Sequence, residues 1–147
     1  MGYSLTIGEA QIESYNEDGL EAECRIYVKS INDPESPAFG DPTDHTNHRW
    51  PSYTAWNDFA EFTGLWEALF QNDGNIRGGH PGAFPINKDF KTAVDDAYKN
   101  HMVIFPDAVP TYETERPQDY QLCRLLWLQY WTDWALENCD NPVMANS

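Results

Sequence analysis

Basic side chains are scarce in this chain: 9 Lys and Arg stand against 24 Asp and Glu over 147 residues, a formal net charge of −15. Charged residues make up only 22% of the total, slightly under the usual quarter, so the imbalance arises from missing bases rather than from a coat of carboxylates. A field of that sign repels DNA, RNA and anionic lipid at long range, which argues against nonspecific nucleic-acid binding and against a membrane surface as partner. Long apolar runs are missing as well. No stretch approaches the roughly eighteen residues that a spanning helix requires, and the opening MGYSLTIGEA offers neither a basic nor an apolar leader segment. Cysteine is limited to Cys24, Cys123 and Cys139, an odd number with no close spacing. They read as reduced thiols of a cytoplasmic protein, not as a disulfide framework. Catalytic signatures are absent too: there is no G-x-S-x-G elbow and no G-K-[ST] phosphate loop. No catalytic residue is assigned, and no cofactor is expected.

What the chain has is aromatic side chains, at 14%, and each large ring can bury about 150–250 Å². A length of 147 residues is the common size for one domain, which buries roughly 68–70% of its unfolded surface. Tyr3, Leu5 and Ile7 alternate as in a strand, and Ala10 and Ile12 resume after a change of phase at Gly8-Glu9, as a bulge would produce. A turn at Asn16-Glu17-Asp18-Gly19 leads to a second alternating run, Leu20 to Val28, so residues 3–31 read as an antiparallel hairpin. Residues 32–51 hold four prolines and few aliphatics and read as one long functional loop. Helical spacing then dominates 52–138. Ser52 caps Tyr53, Trp56, Phe59, Ala60 and Phe62; an irregular stretch covers 72–86; Asn87 caps a helix with the stripe Phe90, Val94, Ala97 and Tyr98. The longest helix, about 117–138, is apolar almost all round through Leu122, Leu125, Trp127, Leu128, Trp131 and Trp134, and so should be central. Residues 139–147 read as a flexible tail. The expected class is α+β, a small sheet built on an N-terminal hairpin and packed on three to four helices.

Two irregular segments concentrate the chemistry. Asp41-Pro-Thr-Asp44-His45-Thr-Asn-His48-Arg49-Trp50 gathers two of the four histidines, and Arg77-Gly78-Gly79-His80-Pro-Gly82 joins a cation and an imidazole to glycines whose backbone N–H groups can converge on an anion. Two of five arginines, Arg49 and Arg77, fall in these segments of a chain otherwise poor in bases. The first expectation is therefore a non-catalytic binding protein for a small phosphorylated or carboxylated ligand, including a nucleotide. Arg49 and Arg77 would neutralise it, Gly78 and Gly79 would donate N–H groups, His48 and His80 would orient it, and Trp50 would stack. Micromolar binding needs about 8 kcal/mol, which two charged hydrogen bonds of about 1.5–3 kcal/mol and one stack barely reach. That shortfall favours a homo-oligomer that pools cations. A second expectation is an acidic interaction protein, or nucleic-acid mimic, that engages a basic partner protein. A third is a metal-dependent hydrolase with His45, His48, His80 and Asp44 as ligands, since imidazole and carboxylate suit a transition ion. An H-x-x-H pair alone specifies little.

Overall fold

The computed structural model describes residues 3–12, 26–29, 47–50, 53–70, 82–111 and 113–146. Its elements in chain order are β1 (Tyr3–Ile12), β2 (Ile26–Lys29), β3 (Asn47–Trp50), α1 (Tyr53–Thr63), α2 (Trp66–Phe70), β4 (Gly82–Pro85), α3 (Lys88–Ile104), α4 (Pro117–Asn138) and β5 (Pro142–Asn146). This is an α+β architecture with the long C-terminal helix α4 in its core.

The sheet is antiparallel throughout and is organised around β1. On one edge β1 pairs with β5, from Leu5↔Asn146 to Glu9↔Pro142, and β4 extends the sheet beyond β5. The other edge is divided: β3 takes the first half, from Tyr3↔Trp50 to Thr6↔Asn47, and β2 the second, from Glu9↔Lys29 to Ile12↔Ile26. The change of phase at Gly8-Glu9 is therefore not a bulge, because the register against β5 runs unbroken through both residues. It marks the point where β1 exchanges β3 for β2. The turn expected at residues 16–19 lies outside the described residues.

Three expectations for irregular chain are corrected. Residues 142–146, read as part of a frayed tail, form β5, which lies between β1 and β4. Successive residues Val143 and Met144 are 1% and 0% exposed, so both faces of this strand are closed and no alternation marks it. Residues 82–85, read as part of an irregular stretch, form β4, whose Pro85 is tolerated because the strand closes one end of the sheet. Asn47–Trp50, the last part of the presumed loop 32–51, is the strand β3.

Helix boundaries follow local chemistry. The Asn87 side chain accepts the Phe90 N–H at 2.9 Å and starts α3. Its buried stripe is Phe90, Val94, Ala97 and His101; the fourth position is His101 rather than Tyr98, which is half-buried. Pro117 opens α4 at the first helical position, where its missing N–H costs nothing. Gly64, with φ of 76°, ends α1, and the Leu65 N–H reaches back to the Ala60 carbonyl at 2.9 Å, the six-to-one bond of a Schellman cap. Ile7, Met144 and Phe84 form one row across the sheet and join the core of Phe59, Leu65, Phe90, Val94, Leu125, Trp127, Leu128 and Trp131. Trp131 meets Tyr130 and Trp134 edge to face at 5.3 Å each, which is the geometry aromatic quadrupoles favour.

Candidate functional site

Strand register fixes how the two segments singled out in the sequence stand to one another. Gly82 pairs with Asn146, Asn146 with Leu5, and Leu5 with His48, so Gly82 and His48 end a single row of four residues across the sheet. Three strand spacings of about 4.8 Å put their Cα atoms roughly 14 Å apart. Both β3 and β5 run antiparallel to β1, and β4 runs antiparallel to β5. Hence the chain leaves β3 through Arg49 and Trp50 at the Tyr3 end of β1 and enters β4 at that same end. Arg77, Gly78, Gly79 and His80 lie outside the described residues, as do Asp44 and His45.

Lys91, Arg116 and Arg124 of the helical part are spent on internal partners. Lys91 pairs with Asp95 at 3.1 Å and donates to Asp133 of α4. Arg116 bonds Asp107 at 2.8 Å and lies 3.3 Å from Asp119. Arg124 is buried in α4, donates to Gln121 at 2.6 Å and covers the Tyr120 ring at 4.9 Å. Lys88 and Lys99 are exposed. An anion taken up at Lys91, Arg116 or Arg124 would therefore compete with partners already in place, whereas Arg49 lies in β3 and Arg77 precedes β4 in the chain.

Electrostatics elsewhere are structural. Burial pushes the Asp95 carboxyl up, but hydrogen bonds from Gln129 and Lys91 outweigh it and hold the group below its usual 3.8. The bond to Asp133 leads in raising Lys91 above 10.5. Burial pushes the Cys123 thiol to about 11 against the opposing charge of Arg124. Burial does the same to Cys139, also to about 11, with Glu9 adding to the shift. Neither thiol is poised as a nucleophile. Among the described residues no group of three or more His, Cys, Asp or Glu is arranged to hold a metal ion.

Sequence reasoning overlooked two features. Asp119 is buried in the first turn of α4, accepts the Val109 N–H at 2.9 Å and the Thr114 hydroxyl at 3.3 Å, and so ties the α3–α4 connection to the helix start. An acid just after an N1 proline is a legible sign of that role. His101 is buried, donates Nε2–H to the Gln118 carbonyl at 2.8 Å and packs against Phe62 and Phe105. Only its place in the apolar stripe, eleven residues after Phe90, signals it in the sequence.

Comparison with protein-family models, with curated proteins and with solved structures gives no match.

Proposed function

We propose that the chain is a non-catalytic binding protein for a small anionic ligand, a phosphorylated or carboxylated metabolite of the nucleotide class, held at the Tyr3 end of the sheet in a cytoplasmic protein. Arg49 and Arg77 neutralise the ligand, Gly78 and Gly79 donate backbone N–H groups, His48 and His80 orient it and Trp50 supplies a stacking face. The observation that supports the reading is the row Gly82, Asn146, Leu5, His48, by which β3 ends and β4 begins at the same end of the sheet. Two further facts support it. Lys91, Arg116 and Arg124 are already engaged, and two of the chain's five arginines fall in these two segments. Homo-oligomerisation at this end would pool the cations of two copies.

Isothermal titration with ATP, AMP and inorganic phosphate tests the proposal. At least one of the three binds at micromolar Kd. Arg49→Ala and Arg77→Ala each weaken it about ten- to 150-fold, the equivalent of one charged hydrogen bond of roughly 1.5–3 kcal/mol. Wild-type affinity in both variants, or no heat with any probe, rejects the reading. Sedimentation velocity with and without ligand reports whether two copies cooperate.

A further inference from the structure

The described residues include four large apolar side chains with high exposure: Val103 at 79%, Ile104 at 67%, Val109 at 56% and Phe62 at 39%. They fall together. Val103 and Ile104 end α3; Phe105 follows and stacks on Phe62 of α1 with ring centroids 5.5 Å apart; Val109 comes after the next turn. Scattered single apolar residues on a surface need no explanation, but an adjoining set does.

This set is also held firmly. The Ala108 N–H returns to the Phe105 carbonyl at 3.0 Å, the Val109 N–H is tied to buried Asp119, and Asp107 is bonded by Arg116. Phe105 is further braced by His101, ring centroids 5.1 Å apart. The apolar side chains are thus presented on a pinned connection and not on a loose one, which lowers the ordering cost of using them.

The rim selects the occupant. Glu61 lies beside Phe62, and Asp107, Glu113 and Glu115 follow α3; all four are exposed. Arg116 is turned onto Asp107 and Asp119, which leaves Lys99, one turn before Val103, as the nearest other base on α3. A second copy of this chain fits poorly, because a two-fold contact would set one acidic rim against its duplicate between molecules of charge −15. The geometry points to a docking surface for a basic amphipathic helix of a partner protein. Its apolar face rests on Val103, Ile104, Val109 and the Phe62–Phe105 pair, and its Lys and Arg side chains meet Glu61, Glu113 and Glu115. This inference does not depend on the proposed anion site.

Fluorescence anisotropy with two labelled helical peptides, one of Leu and Lys and one of Leu and Glu with the same apolar face, tests the inference on the whole chain. The Leu/Lys peptide binds and the Leu/Glu peptide does not. Val103→Ser/Ile104→Ser weakens the Leu/Lys peptide at least tenfold, and Glu113→Gln/Glu115→Gln weakens it and flattens its salt dependence. All substituted positions are exposed, and unchanged thermal unfolding establishes that the variants fold. Equal Leu/Lys binding by wild type and Val103→Ser/Ile104→Ser overturns the inference, since attachment is then to acidic surface in general. So does the absence of binding, and so does self-association of the wild type that the serine variant abolishes.

Discussion

Replacing Asp119 by Ala removes the tether between the α3–α4 connection and the helix it precedes, and the structure sets the size of the effect. Its carboxylate accepts the Val109 N–H at 2.9 Å and the Thr114 hydroxyl at 3.3 Å, and lies 3.3 Å from the Arg116 Nε. The short bond involves a charged acceptor and contributes about 1.5–3 kcal/mol. The long one contributes about 0.5 kcal/mol or less. Placement in the first turn of α4 adds about 0.3–1 kcal/mol through the helix dipole, and the pair with half-exposed Arg116 adds at most about 1 kcal/mol. The sum is about 3 kcal/mol, a large share of the roughly 5–15 kcal/mol that holds a domain folded. Urea unfolding at pH 7 should show the midpoint falling with the slope unchanged. Asp119→Asn keeps an acceptor for Val109 and recovers about half of the loss, while Thr114→Val costs under about 1 kcal/mol. Hydrogen exchange at the Val109 amide accelerates in Asp119→Ala. A loss below about 1 kcal/mol, or equal losses for Ala and Asn, refutes the assignment.

Gly64→Ala destabilises by about 1 kcal/mol, because its Cβ meets open space and the cost is that of the left-handed φ alone; an unchanged urea midpoint contradicts the cap. Asp95 has a folded pKa below 3.8, so its contribution is present above 3.8 and lost as pH falls through the lower folded value. Gln129→Leu should therefore lessen the loss of urea stability on acidification below about pH 4. Lys91, raised above 10.5, contributes below 10.5 and loses that contribution as pH climbs through its folded value, a dependence that Lys91→Met abolishes. Cys123 and Cys139, at about 11 instead of 9.0, hold about a hundredfold less thiolate near neutrality than an ordinary thiol. Mass-spectrometric mapping of iodoacetamide adducts at pH 7.5 should find both slow, with rates rising about tenfold per pH unit.

The helices were legible because their signals are local. Asn87 ahead of an apolar stripe, and Pro117 ahead of a run apolar on every side, announce α3 and α4 without reference to the rest of the chain. Strands β4 and β5 were not. A strand closed on both faces, as Val143 and Met144 are, loses the period-two pattern by which strands are recognised, and Gly82 and Pro85 read as breakers. That misreading also hid how His48 and Gly82 stand to one another. His48 and Gly82 are related only through Leu5 and Asn146, and Asn146 belongs to the segment taken for a tail. Residue type identified the cation-bearing segments; that β3 ends and β4 begins at one end of the sheet is a matter of long-range register, which no window of sequence contains.

The pairing of β1 with β5 also governs how the protein is born. Asn141 follows Glu9 by 132 residues, so at about 5–20 residues per second β1 waits on the order of ten seconds after leaving the ribosome for the strand that completes it. During that wait β2 and β3 can join one edge of β1, while the other edge stays open to any passing chain. Mispairing at that open edge is therefore the hazard specific to this topology while the chain is being made.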